Sequence, residues 1–177
     1  MQDLLLFQTL RKGNDMKTMN TLNESYIGQI QVKYGPDMLI VPGVRIVVRD
    51  SAGRILLVKR TDEKRWEIPA GRVEPDESIT EAARREAFDI TGLSVGSLKP
   101  FAYYSDPIYQ LVSSDGEKVQ QYTMAFLTED YSGGLLKSTD EVSDMGFFSL
   151  NNLPEIHEAD IETIQDLFRY QGSIILK

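Results

Sequence analysis

The residues of this chain best placed to do chemistry lie between Gly71 and Leu93, in GRVEPDESITEAARREAFDITGL. Glu77 stands near the head of the stretch, Arg85, Glu86 and Asp89 near its end, and Gly92 stops it. Residues three and four apart on a helix share a face, so a helix here sets the carboxylates of Glu86 and Asp89 side by side. Paired carboxylates on a rigid helix are the oxygen donors that a hard divalent cation such as Mg²⁺ prefers. The next position is Ile90, whose side chain cannot coordinate a cation.

The elements around these residues must hold them in place. The spacing predicts a helix from about Glu77 to Ile90. With successive residues ~100° apart, Ile79, Ala83, Ala87 and Ile90 fall within about 80° of one another, an apolar stripe for the core. Glu86 lies at one edge of that stripe, Asp89 further round on the same side, and Arg85 toward the side where Glu77 begins the helix. Upstream, MLIVPGVRIVVRD and RILLVKR flank Ser51-Ala52-Gly53 and read as a β-hairpin, with Pro42-Gly43 a kink or the true strand start. TDEKR is a loop, and WEIPAG a short strand running into a turn bracketed by Pro69 and Gly71. Downstream, LSVGSLKPFAYYS, YQLV, VQQYTMAFLTED and DMGFFSL read as strands, with SSDGEK a turn. ADIETIQDLFRYQ carries Ile161, Ile164, Leu167 and Phe168 at helical spacing. Strands with few helices and no regular βαβ alternation point to an α+β sandwich with a mixed sheet. Residues 1–37 form a peripheral arm with a short helix near Asn23–Lys33, and 38–177 form the domain.

Composition narrows the function. Hydrophobic content of 41% and charged content of 26% suit a soluble globular chain. The lack of cysteine excludes disulfides, zinc–thiolate sites and cysteine nucleophiles, and fits a reducing cytoplasm. The first residues make a poor signal peptide, and no apolar run approaches the ~18 residues of a membrane span. A net charge of −8 argues against general affinity for nucleic acid. Yet eight basic residues (Arg45, Arg49, Arg54, Lys59, Arg60, Lys64, Arg65, Arg72) face four acidic ones between Arg45 and Arg72. If they converge, they suit a phosphate-bearing small molecule; otherwise they are solvated strand and loop residues.

The order Gly71, Glu77, Arg85-Glu86-Ala87, Asp89, Gly92-Leu93 resembles the Nudix box of the MutT-like hydrolases, with six separated positions agreeing in spacing. WEIPAG, GRILLVKR and GFFSLNNLPE resemble flanking segments, so the likeness runs from Met38 to Tyr170. It implies an α/β/α sandwich and Mg²⁺-dependent hydrolysis of a nucleoside diphosphate linked to another group, with Mn²⁺ as a substitute. By position, it implies that Glu86, Asp89 and the carbonyl of Ala70 bind metal, and that Glu77 and Arg85 brace the loop-helix-loop by a salt bridge. A bound cation would neutralise developing charge and lower the pKa of the attacking water. Glu86, Glu141 or Asp144 would take the proton.

Ile90 departs from the pattern, which has a second acid there. Losing that ligand would cost roughly 10²–10³ in rate if it removes one good transition-state interaction. The alternative reading is a catalytically inactive Nudix-fold module that binds a nucleotide or metabolite. Tyr103, Tyr104 and Tyr109 either stack on a base or are ordinary strand aromatics, and Trp66 either lines the pocket or joins the core. These tyrosines partly match both ADP-ribose-type and dinucleoside-polyphosphate-type signatures. Arg45, Trp66, Tyr103 and Tyr104 are the candidate substrate-binding residues. Glu67 and Glu74, beside the glycine turn, either assist metal binding or face solvent, and His157 is expected at the surface. Homodimerisation is a family-level expectation.

Overall fold

In the central strands, neighbouring residues go to opposite faces, and both faces are covered. Val44, Ile46, Val48 and Leu56 pack with Ala82, Ala83 and Ala87 of one helix. Val47, Ile55 and Leu57, alternating with them, pack with Ile164 and Leu167 of another. Double coverage explains why the run Ile55-Leu56-Leu57-Val58 is apolar throughout and fully buried. The result is an α+β sandwich.

The computed structural model describes residues 29, 30, 33, 38–61, 65–112 and 118–177. Its elements are β1 (Leu39–Val48), β2 (Ile55–Arg60), β3 (Trp66–Glu67), β4 (Ala70–Arg72), α1 (Ile79–Thr91), β5 (Leu93–Val95), β6 (Lys99–Tyr104), β7 (Gln110–Val112), β8 (Lys118–Thr128), β9 (Tyr131–Gly133), β10 (Val142–Phe148), α2 (Glu158–Arg169) and β11 (Ile175–Leu176). Gln29, Ile30 and Lys33 are helical. The rest of the expected arm, and most of the SSDGEK turn, lie outside the described residues.

Two compact units result. One draws on Met1–Val41 and Gln110–Gln120. In it β7 pairs antiparallel with the start of β8, and Leu39 packs with Val41 and Val119. The other, Pro42–Tyr109 with Gln121–Lys177, holds both helices. There the large sheet runs β11-β6-β8-β1-β4, and a second sheet runs β10-β2-β3. The pairing of β11 with β6 is parallel and that of β6 with β8 antiparallel, so the sheet is mixed.

The structure corrects four local readings. First, β1 and β2 do not form a continuous hairpin. One bridge, Arg49 to Ile55, closes the turn, and the strands then part into different sheets, β1 between β8 and β4 and β2 between β10 and β3. Second, α1 begins after Ser78, which caps it. Ser78 Oγ accepts from the Glu81 amide, and the Glu81 carboxylate accepts from the Ser78 amide at 2.7 Å. Glu77 therefore precedes the helix. Third, the buried residues of α1 are Ala82, Ala83, Ala87 and Thr91, and Ile90 is only half-buried. At that end of the helix the stripe looks into a cleft, not onto the sheet.

The fourth correction concerns α2. Its buried face holds Asp160, Thr163, Ile164, Asp166 and Leu167, while Ile161 and Phe168 are 44% and 67% exposed. Both buried carboxylates are paired, which is the condition for burying them at all. Arg45 Nε lies 3.1 Å from Asp160, whose other oxygen accepts from the Ile68 amide at 3.2 Å. Lys177 Nζ lies 2.7 Å from Asp166, which also accepts from the Tyr104 hydroxyl at 3.1 Å.

Candidate active site

Arg85 organises the site. Its Nε and Nη2 donate to the two oxygens of Glu77 at 2.9 and 2.5 Å. Nη2 also donates to the Arg72 carbonyl at 2.9 Å, and Nη1 to Glu86 Oε1 at 2.8 Å. One guanidinium thus ties the loop after β4 to the helix, through a two-pronged carboxylate contact that Lys has no geometry to make. Glu77 Oε1 accepts as well from the Glu74 amide at 2.7 Å. The hydrogen bonds from Arg85 hold the Glu77 carboxyl below the usual glutamate range.

Glu86 is placed by the loop as much as by the helix. Its carboxylate lies over the backbone of Gly71: a Cβ built there would stand 1.9 Å from Glu86 Cδ. Glycine is required at 71 for that close approach. The Glu86 side chain is only 17% exposed, and burial pushes its carboxyl above the usual range despite the neighbouring Arg85. Among the described residues Oε1 has a partner in Arg85, and no protein donor meets Oε2. A mostly buried carboxylate oxygen left without a donor is suited to a cation.

Glu86 faces a cleft of about 720 Å³, lined also by Glu67, Ala70, Arg72, Glu74, Asp89, Ile90 and Glu141. Of the basic residues near the box that are described, Arg60 and Arg72 reach this lining. Arg49 and Arg54 pair instead with Glu129 and Asp50, and Arg65 with Glu155. Glu141 lies in the lining with Arg60 Nη1 3.8 Å away, whereas Asp144 is outside it. Asp89 is at the rim, its side chain 59% exposed. The donors in this cleft, the Ala70 carbonyl and the carboxylates of Glu86 and Asp89, are all oxygen, so they fit a hard divalent cation in kind. They are few, however: among the described residues no three acidic or histidine side chains gather closely enough to hold a metal by themselves.

The four expected substrate-binding residues lie apart from this lining. The Arg45 guanidinium donates to Thr163 Oγ1 at 2.7 Å, pairs with Asp160 and stands 5.7 Å from the Tyr104 ring. Tyr104 is 1% exposed, and burial raises its phenol well above the ordinary value. Trp66 is half-buried, edge-on to Phe148 at 4.7 Å, and Tyr103 is half-buried edge-on to Tyr122 at 6.3 Å. His157 caps α2: its Nδ1 accepts from the Ala159 amide at 3.4 Å. Nothing in the local sequence sets Arg60 apart from the other basic residues between Arg45 and Arg72. Its place was legible only from β2, which carries it to the cleft mouth opposite Val142 of β10.

Comparison with known proteins gives the family and the fold. A family model described as the NUDIX domain matches residues 39–167. An ADP-ribose pyrophosphatase of Methanocaldococcus jannaschii is 30% identical over 130 residues, 72% of either chain. A MutT-like protein of Streptomyces ambofaciens is 36% identical over 70 residues, 40% of this chain and 45% of its own length. A Bacillus subtilis relative is 40% identical over 68 residues, 46% of its length, so the chain spans less than half of each of these two. Among solved structures, a MutT NUDIX hydrolase from Burkholderia pseudomallei superposes with a TM-score of 0.61 at 22% identity, over 72% of this chain and 98% of that one. An ADP-ribose pyrophosphatase from Streptococcus suis gives a TM-score of 0.61 at 20% identity, over 77% and 98%. A match across most of the domain, joined to the Glu77–Arg85–Glu86 arrangement, makes this chain a member of the Nudix hydrolase family.

Proposed function

We propose that the chain is a divalent-metal-dependent pyrophosphohydrolase, served by Mg²⁺ with Mn²⁺ as a substitute, that cleaves the diphosphate linkage of a nucleoside diphosphate derivative. The observation that carries this reading is Glu86, held by Arg85 and Gly71 with one carboxylate oxygen turned to a cleft that Arg60 and Arg72 also line. In the proposal Glu86, the Ala70 carbonyl and Asp89 hold the cation, and Glu77 and Arg85 are positioning residues. The cation, when bound, supplies charge neutralisation and an acidified water. Glu141, in the lining, is favoured over Asp144 as the acceptor of the water's proton, since a general base must reach the proton it takes. Arg60 and Arg72 replace Arg45, Trp66, Tyr103 and Tyr104 as the side chains proposed to meet the substrate's phosphates.

The substrate remains a class: a nucleotide-derived small molecule bearing a diphosphate. No helix among the described residues is long and apolar enough to cross a membrane. Action on soluble metabolites in the cytoplasm, as a homodimer, completes the proposal. Light scattering after size exclusion tests the last point.

The function is tested by incubating purified protein with ADP-ribose, dinucleoside polyphosphates and nucleoside triphosphates, with Mg²⁺ or Mn²⁺, and following products by mass spectrometry. Metal-dependent release of a nucleoside phosphate from at least one substrate is expected. A blank panel would leave the metabolite-binding module in its place.

A further inference from the structure

Building on the function just given, we propose that Asp160, buried under α2 and outside the cleft lining, is a positioning residue that aims the Ala70 carbonyl into the cleft. The direction of that carbonyl follows from the β1–β4 ladder. Arg45 stands opposite Ala70 and Gly43 opposite Arg72, while the Ile46 amide donates to the Pro69 carbonyl at 2.8 Å. Bonded and non-bonded pairs alternate in an antiparallel ladder, so Ala70 and Arg72 hold non-bonded positions and turn their carbonyls away from β1. β4 ends its sheet, and the Arg72 carbonyl, off that edge, accepts from Arg85 at 2.9 Å. The Ala70 carbonyl, two residues earlier, leaves by the same edge, where Ala70 lines the cleft.

The peptide planes behind that carbonyl are set by α2. Pro69 has no N–H and a ring-fixed φ, so the Ile68 amide is the last backbone donor before Ala70. That amide donates to Asp160 Oδ2 at 3.2 Å. Asp160 Oδ1 lies 3.1 Å from Nε of Arg45, the residue opposite Ala70. One carboxylate thus holds both strands at the level of Ala70. The approach to α2 grips the same segment again: the His157 amide donates to the Trp66 carbonyl at 3.0 Å, and the Trp66 amide to the Glu155 carbonyl at 2.9 Å. Groups that orient a ligand atom from behind are commonly worth about 10–100-fold in metal affinity or activity.

The test compares Asp160→Asn with Asp166→Asn in the full chain. Asparagine leaves one oxygen for two donors, Arg45 and Ile68, so the Ile68 amide loses its acceptor to the cation. Asp166 is buried on the same helix, but its partners are Tyr104, Arg169 and Lys177. Mn²⁺ is titrated by electron paramagnetic resonance of the free ion, and kcat and KM are measured at fixed Mg²⁺, each protein well below its melting temperature. We expect Asp160→Asn to weaken Mn²⁺ binding and to lower kcat, each about tenfold, with KM nearly unchanged. Asp166→Asn should keep both despite a lower melting temperature. If Asp160→Asn does not fold, Arg45→Met/Asp160→Leu removes the acceptor without stranding a buried cation, and should show the same losses. Wild-type Mn²⁺ affinity and kcat in the Asp160 variant, or equal losses in Asp166→Asn, would overturn the inference and leave the proposed function standing. A wild type that neither binds Mn²⁺ nor hydrolyses the substrate panel would remove both.

Discussion

At the scale of single residues, Gly71 and Glu77 decide whether Glu86 is usable. In Gly71→Ala the new Cβ meets the far end of the Glu86 side chain, which can swing away. The expected outcome is a small change in thermal stability and a loss of activity on the order of 10²-fold, as for other ångström-scale misplacements. Calorimetry and steady-state rates, measured together, separate the two. For Glu77 the consequence is a pH dependence of stability. Its folded pKa is depressed by hydrogen bonds from Arg85, so the stability it adds is present above the ordinary value of 4.5 and is lost as pH falls through the folded value. Glu77→Gln should be less stable near neutrality and should lose less stability on acidification below pH 4.5, as followed by urea midpoints. The brace was legible in the sequence through the resemblance to the Nudix box, whose pattern pairs the positions of Glu77 and Arg85. The seat of Glu86 on Gly71 was not, since nothing local says which backbone a carboxylate will rest on.

Among the elements, α1 and α2 differ in how far their sequences reveal their packing. Ser78-Ile79-Thr80-Glu81 spells a capping box, and Ser78→Ala should cost about 1 kcal/mol in chemical denaturation. The apolar positions of α2 point the other way from its packing, because Asp160 and Asp166 are buried and Phe168 is not. Hydrophobic spacing reads only the apolar contribution to burial. The cations that make those two aspartates tolerable, Arg45 and Lys177, lie more than ten residues off or on another strand. Asp160→Asn leaves Arg45 buried without its counter-charge, and a loss of about 3 kcal/mol or more is expected in equilibrium unfolding. The same pairing explains why Arg45, read from sequence as a phosphate ligand, belongs instead to the framework under α2. The parting of β1 and β2 was hidden for a related reason: a short turn signals a hairpin, but the strands' partners, β8 and β10, are distant in sequence.

For the whole molecule, the fold follows from strands of two sheets whose residues alternate between two helix-covered cores, leaving the cleft beside α1 as the place where carboxylates and arginines meet. The most direct test compares hydrolysis of the substrate panel by the wild type and by Glu86→Gln, at saturating Mg²⁺, with melting temperatures in parallel. Burial disfavours the charged form of Glu86, so the variant should melt at or above the wild-type temperature. The account predicts that the wild type turns over at least one diphosphate-bearing substrate and that the folded variant loses about 10²-fold or more. Equal rates in the two proteins, or no turnover by either, would contradict it.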